Sequence, residues 1–124
     1  ISSFGSGGLV GYVNTASPTI QINNCYFGGS FTGTATNQCH LIYPGSYTTG
    51  VTINNSYSNE SSGYTAAGKA PTSTFDVSTG ALTTSQTVNG QTCTDLKEAL
   101  KQWQLLNTSY STWTTDTLPR FSWE

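Results

Sequence analysis

Apolar and polar side chains alternate along two short stretches of the chain. In the first, TIQINNCYFGG, the alternating sets are Ile20, Ile22, Asn24 and Tyr26, and Gln21, Asn23, Cys25 and Phe27. A two-residue period between glycine, proline and asparagine turn signals is typical of a β-strand that buries one face. We therefore predict a strand here, with Ile20, Ile22 and Asn24 all facing inward.

The second stretch, GVTINNSYSNE, repeats the first at a distance of 31 residues. The same offset matches Val10 with Leu41, Tyr12 with Tyr43, Ile20 with Val51, Ile22 with Ile53, Asn23 with Asn54, Asn24 with Asn55, and Tyr26 with Tyr57. Repeats of about 20 to 50 residues are typical of solenoids, in which each unit packs on the next. We predict a mainly β fold: a short β-solenoid (β-helix) of two to three coils over residues 1–92.

A fainter third copy, GALTTSQTVNG, follows at the same offset and would place Leu82 and Val88 on a last coil. The residues between the second and third copies, 58–71, are rich in serine, glycine and alanine and predict a loop. Within the repeats, we predict that Asn24 and Asn55 stack on each other. Their side-chain amides then satisfy one another inside the fold, which makes them a predicted stacking ladder; a turn role without a ladder is the alternative.

The pattern changes after Cys93. TDLKEALKQWQLLN places Leu96, Leu100, Trp103 and Leu106 on one helical stripe, behind a capping box formed by Asp95 and Glu98. The tail that follows is rich in large apolar residues, so we expect it to pack. Residues 93–124 are therefore predicted to be an amphipathic helix and an aromatic tail that cover the solenoid within a single domain.

Charged residues make up only 8% of the chain and the net charge is −2, whereas serine and threonine fill about a third. This composition favours an extracellular or cell-surface β protein and gives no basic surface for nucleic acid. No apolar run is long enough to insert into a membrane. Three cysteines allow one disulfide. We favour Cys39 with Cys93, because serine replaces Cys25 in the second repeat, although sequence alone does not fix the pairing.

Residues that carry chemistry are sparse. His40 is the only histidine, so a metal site lacks ligands, and we predict no cofactor. The acidic residues do not pair on the repeat strands as polysaccharide-cleaving enzymes require, so we predict that the chain is not an enzyme. Glycosylation sequons at Asn54 and Asn59 lie on an outward strand position and in a loop, and both are predicted to carry sugar if the source is a eukaryote.

The phrases GSGGLVGY and TIQINNCYFGGSFTG, at residues 5–12 and 19–33, resemble the GLUG-type repeat of large surface proteins, including haemagglutinin-like adhesins. In the second repeat Cys39 and Ile42 replace two glycines of this motif. The stretch CTDLKEALKQW and the later LPRF also look like the helix and tail that close such arrays. The resemblance implies a β-solenoid on a cell surface, with adhesion or scaffolding as its role and no catalytic residues.

A disc of two or three coils has two faces of unpaired strand edges. We expect the helix and tail to cover one face, whereas residues 1–8 are too short and glycine-rich to cover the other. We therefore expect a non-enzymatic structural subunit that stacks head to tail into a filament or surface fibre, with its own copies as partners and self-association through Ile1, Phe4, Leu9 and Trp123. The alternative is an adhesin or carbohydrate- or protein-binding module of a larger surface protein, which would bind glycans or protein through Tyr47, Tyr64 and Tyr110.

Overall fold

The computed structural model describes residues 6–7, 10–12, 19–30, 38–39, 41–43, 50–59 and 70–121. These ranges are mainly strands, with one helix near the C-terminus. The strands are β1 (Ser6–Gly7), β2 (Val10–Tyr12), β3 (Ile20–Asn23), β4 (Tyr26–Phe27), β5 (Gln38–Cys39), β6 (Ile42–Tyr43), β7 (Val51–Asn54), β8 (Tyr57–Ser58), β9 (Ser73–Thr74), β10 (Ala81–Val88) and β11 (Gln91–Asp95), and the helix is α1 (Leu96–Leu106).

The strands of the first repeat, β1 to β4, pair in order with those of the second repeat, β5 to β8. All four pairs are parallel. The β3–β7 pair joins Ile22 to Ile53 and Asn23 to Asn54, which is the offset of 31 residues that the repeated phrase predicts. Earlier in the repeat the register differs: a shift within β2 pairs Val10 with Ile42, so the predicted match of Val10 with Leu41 is wrong by one residue.

A corner follows β3 and another follows β7. Asn24 and Asn55 occupy these corners with φ of 52° and 44°, in the left-handed region that asparagine adopts more readily than most residues. The corner reverses the alternation of the strand. Ile22 packs in one apolar cluster with Val51, Leu41 and Ile42, whereas Tyr57, beyond the corner, packs in another cluster with Phe75, Cys93 and the helix.

The predicted third copy is wrong. The strand that adds to the second repeat is β9, where Ser73 pairs in parallel with Tyr57. Residues 81–88 instead form the first strand of an antiparallel hairpin with β11. The hairpin turns at Asn89 and Gly90, with φ of 52° and 71°. Asn-Gly between two strands is the strongest short hairpin signal, because both residues accept positive φ.

Helix α1 begins where the sequence predicts. The Asp95 side chain is the N-cap and accepts a hydrogen bond from the Glu98 backbone N–H at 3.0 Å. Among the described residues, the Glu98 carboxylate accepts from Gln102 at 2.6 Å and does not complete the predicted capping box with Asp95. Leu96 and Leu100 are fully buried, but Leu106 is 61% exposed, so the predicted apolar stripe ends before the last turn.

The C-terminal tail packs back on the first repeat. Trp113 and Phe121 form a bridge with stacked rings whose centroids are 4.3 Å apart. Trp113 also contacts Tyr26 at a centroid distance of 5.8 Å, and the Tyr26 hydroxyl donates to the Pro119 carbonyl oxygen at 2.6 Å. The tail thus lies beside β4, the strand that follows the corner at Asn24.

Candidate functional site

The buried asparagines of the two corners form a hydrogen-bonded pair. Asn55 Nδ2 donates to Asn24 Oδ1 at 2.7 Å, and the two side chains are 9% and 4% exposed. The sequence pairs these two residues as a stacking ladder, and the structure brings them together. Their surroundings differ from the prediction: the corner turns both amides away from the isoleucines and toward helix α1.

The helix receives both amides on its backbone. Asn24 Nδ2 donates to the Leu100 carbonyl oxygen and Asn55 Nδ2 to the Ala99 carbonyl oxygen, each at 3.1 Å. Two successive carbonyls of one helix therefore bind two successive repeats. Because buried amides are costly without partners, these bonds fix the helix against both repeats at once.

The hydroxyl of Tyr57 binds the remaining acceptor of the buried pair, donating to Asn55 Oδ1 at 2.6 Å. Tyr57 is fully buried, and this burial raises the pKa of its hydroxyl. Tyr26 is the matching residue of the first repeat, yet its hydroxyl goes to Pro119. Asn24 Oδ1 accepts from Asn55 instead, so the equivalent tyrosines of the two repeats bind different partners.

A second pair of asparagines lies on the outer side of β3 and β7. Asn54 Nδ2 donates to Asn23 Oδ1 at 2.8 Å, and Asn54 is exposed. Among the residues that the structure describes, Asn23 Nδ2 donates only to Gln21 Oε1, at a long 3.5 Å. The two asparagine pairs share one polarity: in each, the second repeat donates its side-chain N–H to the oxygen of the first.

The predicted glycosylation sites differ in exposure. Asn54 is exposed, whereas Asn59 is half-buried and its backbone N–H donates to the Phe27 carbonyl oxygen at 3.1 Å. An N-linked sugar needs the side-chain nitrogen, which in Asn54 also binds Asn23. Glycosylation at both sites stays a prediction.

Cysteine and serine at the matched position after the corner make the same contact. Cys25 Sγ donates to the carbonyl oxygen of Asn23 at 3.0 Å, and Ser56 Oγ donates to that of Asn54 at 2.9 Å. Ser56 Oγ also accepts the Cys25 backbone N–H at 3.1 Å, so the serine joins the two repeats. Cys25 is a half-buried free thiol, and burial raises its pKa.

The predicted disulfide between Cys39 and Cys93 is wrong, because Cys93 is a free cysteine in the structure. Cys93 is fully buried in the cluster formed by the hairpin, the helix and Tyr57, whereas Cys39 lies on β5, which pairs with β1 in the repeats. Burial, and to a lesser extent Glu98, raises the pKa of the Cys93 thiol. These two cysteines therefore belong to different parts of the fold.

Several predicted site residues lie outside the described residues. They are the self-association residues Ile1, Phe4, Leu9 and Trp123, the lone histidine His40, and the tyrosines Tyr47 and Tyr64. Of the tyrosines proposed for binding, Tyr110 is described and is 47% exposed. Its ring meets that of Trp103 edge to face, with the ring centroids 5.0 Å apart.

Three acidic side chains have structural partners. Asp95 caps the helix, and Asp116 forms an exposed ion pair with Arg120 at 3.2 Å. Asp76 accepts bonds from the N–H groups of Ser78 and Thr79 at 2.8 and 2.9 Å, and the Ser78 hydroxyl is the main cause of its lowered pKa. Among the described residues, no group of three or more histidine, cysteine or acidic side chains has the arrangement of a metal site.

Tyr57 and Asn23 were missed as site residues, and Asn54 was predicted as a glycosylation site and not as the partner of Asn23. The sequence did contain a signal for them, because the phrase INN-x-Y occurs in both repeats and so repeats the outer asparagine and the tyrosine together. Across the part of the chain that the structure describes, no helix is long and apolar enough to cross a membrane.

No protein-family model matches the chain, and neither a curated protein nor a solved structure matches it. The GLUG-type resemblance therefore stays a prediction that rests on the motifs of the sequence.

Proposed function

We propose that this chain is a non-enzymatic extracellular structural protein, a short β-solenoid that stacks with its own copies into a filament or surface fibre. The observation that carries the proposal is the in-register parallel pairing of β3 with β7. Each of these strands has one partner among the described strands, so each presents one edge without a strand. Unpaired strand edges favour pairing with another chain.

The solenoid architecture is supported by the order of the pairs. Four successive strands of the first repeat meet four successive strands of the second, at offsets of 31 or 32 residues, without a change of order. A chain that winds once per repeat produces this arrangement. The two asparagine pairs add side-chain hydrogen bonds along the stacking direction.

The two ends of the stack are unequal. Over β8, strand β9 adds a further layer, and β10 then contacts β9, so the hairpin covers that edge. Over β7, no such layer is present among the described strands. A head-to-tail contact is therefore favoured between the β3 edge of one molecule and the β7 edge of the next.

The absence of enzymatic activity is part of the proposal and is supported by the structural partners of Asp76, Asp95 and Asp116. Extracellular placement is supported by the low charge, the abundance of serine and threonine, and the exposed sequon at Asn54.

The second candidate function is a binding module of a larger surface protein. The exposed end of helix α1 favours it, because Leu105, Leu106 and Tyr110 are 51%, 61% and 47% exposed and lie close in sequence. Exposed apolar groups of this kind are typical of binding surfaces. In this alternative, the hairpin and helix close the end of a longer array of repeats.

Electron microscopy and sedimentation velocity of the purified chain, over a range of concentrations, test the proposal. We expect fibres and a sedimentation coefficient that rises with concentration. A chain that stays monomeric and binds glycans on an array supports the second candidate instead. Release of reducing sugar from polysaccharides would contradict both.

A further inference from the structure

The outward-facing groups of β3 and β7 are complementary across the two edges. On β3, Ile20 N–H donates to the Gly50 carbonyl and Asn24 N–H to the Asn54 carbonyl. Because backbone groups alternate in direction along a parallel strand, those of Gln21 and Asn23 point to the opposite edge, which is open in the sense that no described strand pairs with it. On β7, the same rule turns the backbone groups of Val51 and Ile53 to its open edge.

The side chains of the outer asparagine pair extend this complementarity. At the β3 edge, the oxygen of Asn23 accepts from Asn54, and within the described ranges its N–H groups make only the long contact with Gln21 at 3.5 Å. At the β7 edge, Asn54 uses its nitrogen within the molecule, and no hydrogen bond to its side-chain oxygen is found among the described residues. One edge therefore offers amide donors and the other an amide acceptor.

The buried pair of Asn24 and Asn55 already uses the side-chain groups that would otherwise bind a neighbouring molecule. Asn24 Nδ2 is bound by the Leu100 carbonyl, and Asn55 Oδ1 is bound by the Tyr57 hydroxyl. Only the outer pair can continue from one molecule to the next by the same hydrogen bond that it makes internally.

We propose that the open edges of β3 and β7 bind each other between molecules, in the 31-residue register of the internal β3–β7 pair, with Asn23 Nδ2 of one molecule donating to Asn54 Oδ1 of the next. The partner is a second copy of this chain, because the donor edge of β3 and the acceptor edge of β7 belong to the same molecule and match in register. The contact is head to tail, and such contacts grow into filaments when they do not close. This inference rests on the proposed function and specifies its interface.

Asn23→Asp tests the contact between molecules while it keeps the hydrogen bond within the molecule. Within the molecule, the carboxylate that this substitution places at position 23 still accepts a hydrogen bond from Asn54 Nδ2, so the internal pair is kept. Between molecules, the donor is gone and two oxygens face each other. Loss of such a bond together with the repulsion raises the critical concentration for assembly about tenfold or more. Gln91→Glu, at an exposed position of the hairpin, adds the same charge away from the interface and serves as the control.

Asn54→Lys provides the complementary change. A lysine keeps a donor for Asn23 Oδ1 but removes the outward acceptor, so this variant alone also assembles poorly. A mixture of the Asn23→Asp and Asn54→Lys variants restores assembly, because an acidic β3 edge then meets a basic β7 edge and the other two edges are unchanged. The recovered assembly weakens with added salt, since it depends on an exposed ion pair.

The experiment follows light scattering and sedimentation of protein without N-glycans, because a sugar on Asn54 would occupy the same edge. Thermal unfolding midpoints of both variants establish that they fold like the parent. The expected result is assembly by the parent and by Gln91→Glu, loss in each single variant, and recovery in the mixture. Assembly of the parent with equal assembly of Asn23→Asp, or no recovery in the mixture, overturns this interface and leaves the proposed function standing. A parent chain that stays monomeric overturns both.

Discussion

Removal of the Asn55 side chain tests how much the buried network contributes to stability. In Asn55→Ala, three hydrogen bonds disappear: those to Asn24 Oδ1, to the Ala99 carbonyl and from the Tyr57 hydroxyl. The Ala99 carbonyl lies inside helix α1, so it still accepts a backbone hydrogen bond of the helix. Asn24 Oδ1 and the Tyr57 hydroxyl are left buried without their partner, and alanine must adopt the left-handed φ of 44°.

The expected loss follows from these separate costs. Each buried polar group that loses its partner costs about 1–3 kcal/mol, and a left-handed alanine costs about 1–2 kcal/mol. The sum is about 3–8 kcal/mol, comparable to the whole stability of a small domain at about 5–15 kcal/mol. Asn55→Gly removes the same bonds without the backbone strain, so the variant should lose about 1–2 kcal/mol less.

Urea denaturation followed by circular dichroism measures these differences. Asn89→Ala is the matched control, because Asn89 has a φ of 52° but is exposed, and its side chain donates to the Gln102 side chain at 2.9 Å. It should cost about 1–2 kcal/mol, mainly from strain. Tyr57→Phe should cost much less in the Asn55→Ala background than in the parent, because the hydroxyl no longer has its partner. Equal losses for Asn55→Ala and Asn89→Ala, with no coupling to Tyr57, would refute the reasoning.

Three further predictions concern the helix, the glycines and Tyr57. Leu100→Ala should lower the free energy of unfolding by about 2–5 kcal/mol, whereas Leu106→Ala, at an exposed position, should change it by less than about 0.5 kcal/mol; similar losses in urea denaturation would contradict the described burial. Gly80→Ala should destabilise the protein more than Gly90→Ala. Both glycines have positive φ, but a Cβ at Gly80 would lie 2.8 Å from a backbone oxygen, whereas a Cβ at Gly90 would meet open space. Thermal midpoints in the opposite order would disprove this. Because burial raises the pKa of Tyr57 in the folded state above its ordinary 10.0, its share of stability is complete below about pH 10 and is lost as the pH rises beyond it. Tyr57→Phe should therefore unfold with a weaker dependence on alkaline pH than the parent, and identical dependence would count against a buried hydroxyl.

The sequence predicted the elements whose signals are local or repeated. The phrase INN-x-Y, written twice, predicted the pairing of Ile22 with Ile53, because identical side chains stack in parallel strands. Asp95 predicted the start of the helix, since an aspartate N-cap satisfies a free backbone N–H of the first turn. These outcomes depend on neighbouring residues or on direct repetition.

The hairpin shows why the third copy was predicted wrongly. Leu82 and Val88 continue the apolar spacing of the repeat, but Asn89 and Gly90 form a turn that sends the chain back beside itself. The turn at Asn89 and Gly90 therefore decided the structure of this segment, and the weak similarity to the repeat did not. The strand that pairs with the second repeat is β9. It has only two residues, Ser73 and Thr74, so it shows no apolar alternation that could predict it.

The corners explain the remaining errors about the site. A two-residue period carried through Asn24 places it among the isoleucines, but the left-handed backbone reverses the alternation and turns the amide toward the helix. A helix that is distant in sequence then supplies its partner. Neither that contact nor the burial of Cys93 beside Tyr57 is encoded in any local pattern, so spacing could not indicate that Cys93 is a free, buried thiol.

An NMR contact map of the backbone from residues 19–24 against residues 50–55 tests most directly whether the two repeats lie side by side in parallel. We predict cross-strand nuclear Overhauser contacts that all join residues about 31 apart, Ile20 with Val51 through Asn23 with Asn54. Contacts that run in the antiparallel sense, or that are missing between these segments in folded protein, would contradict the account.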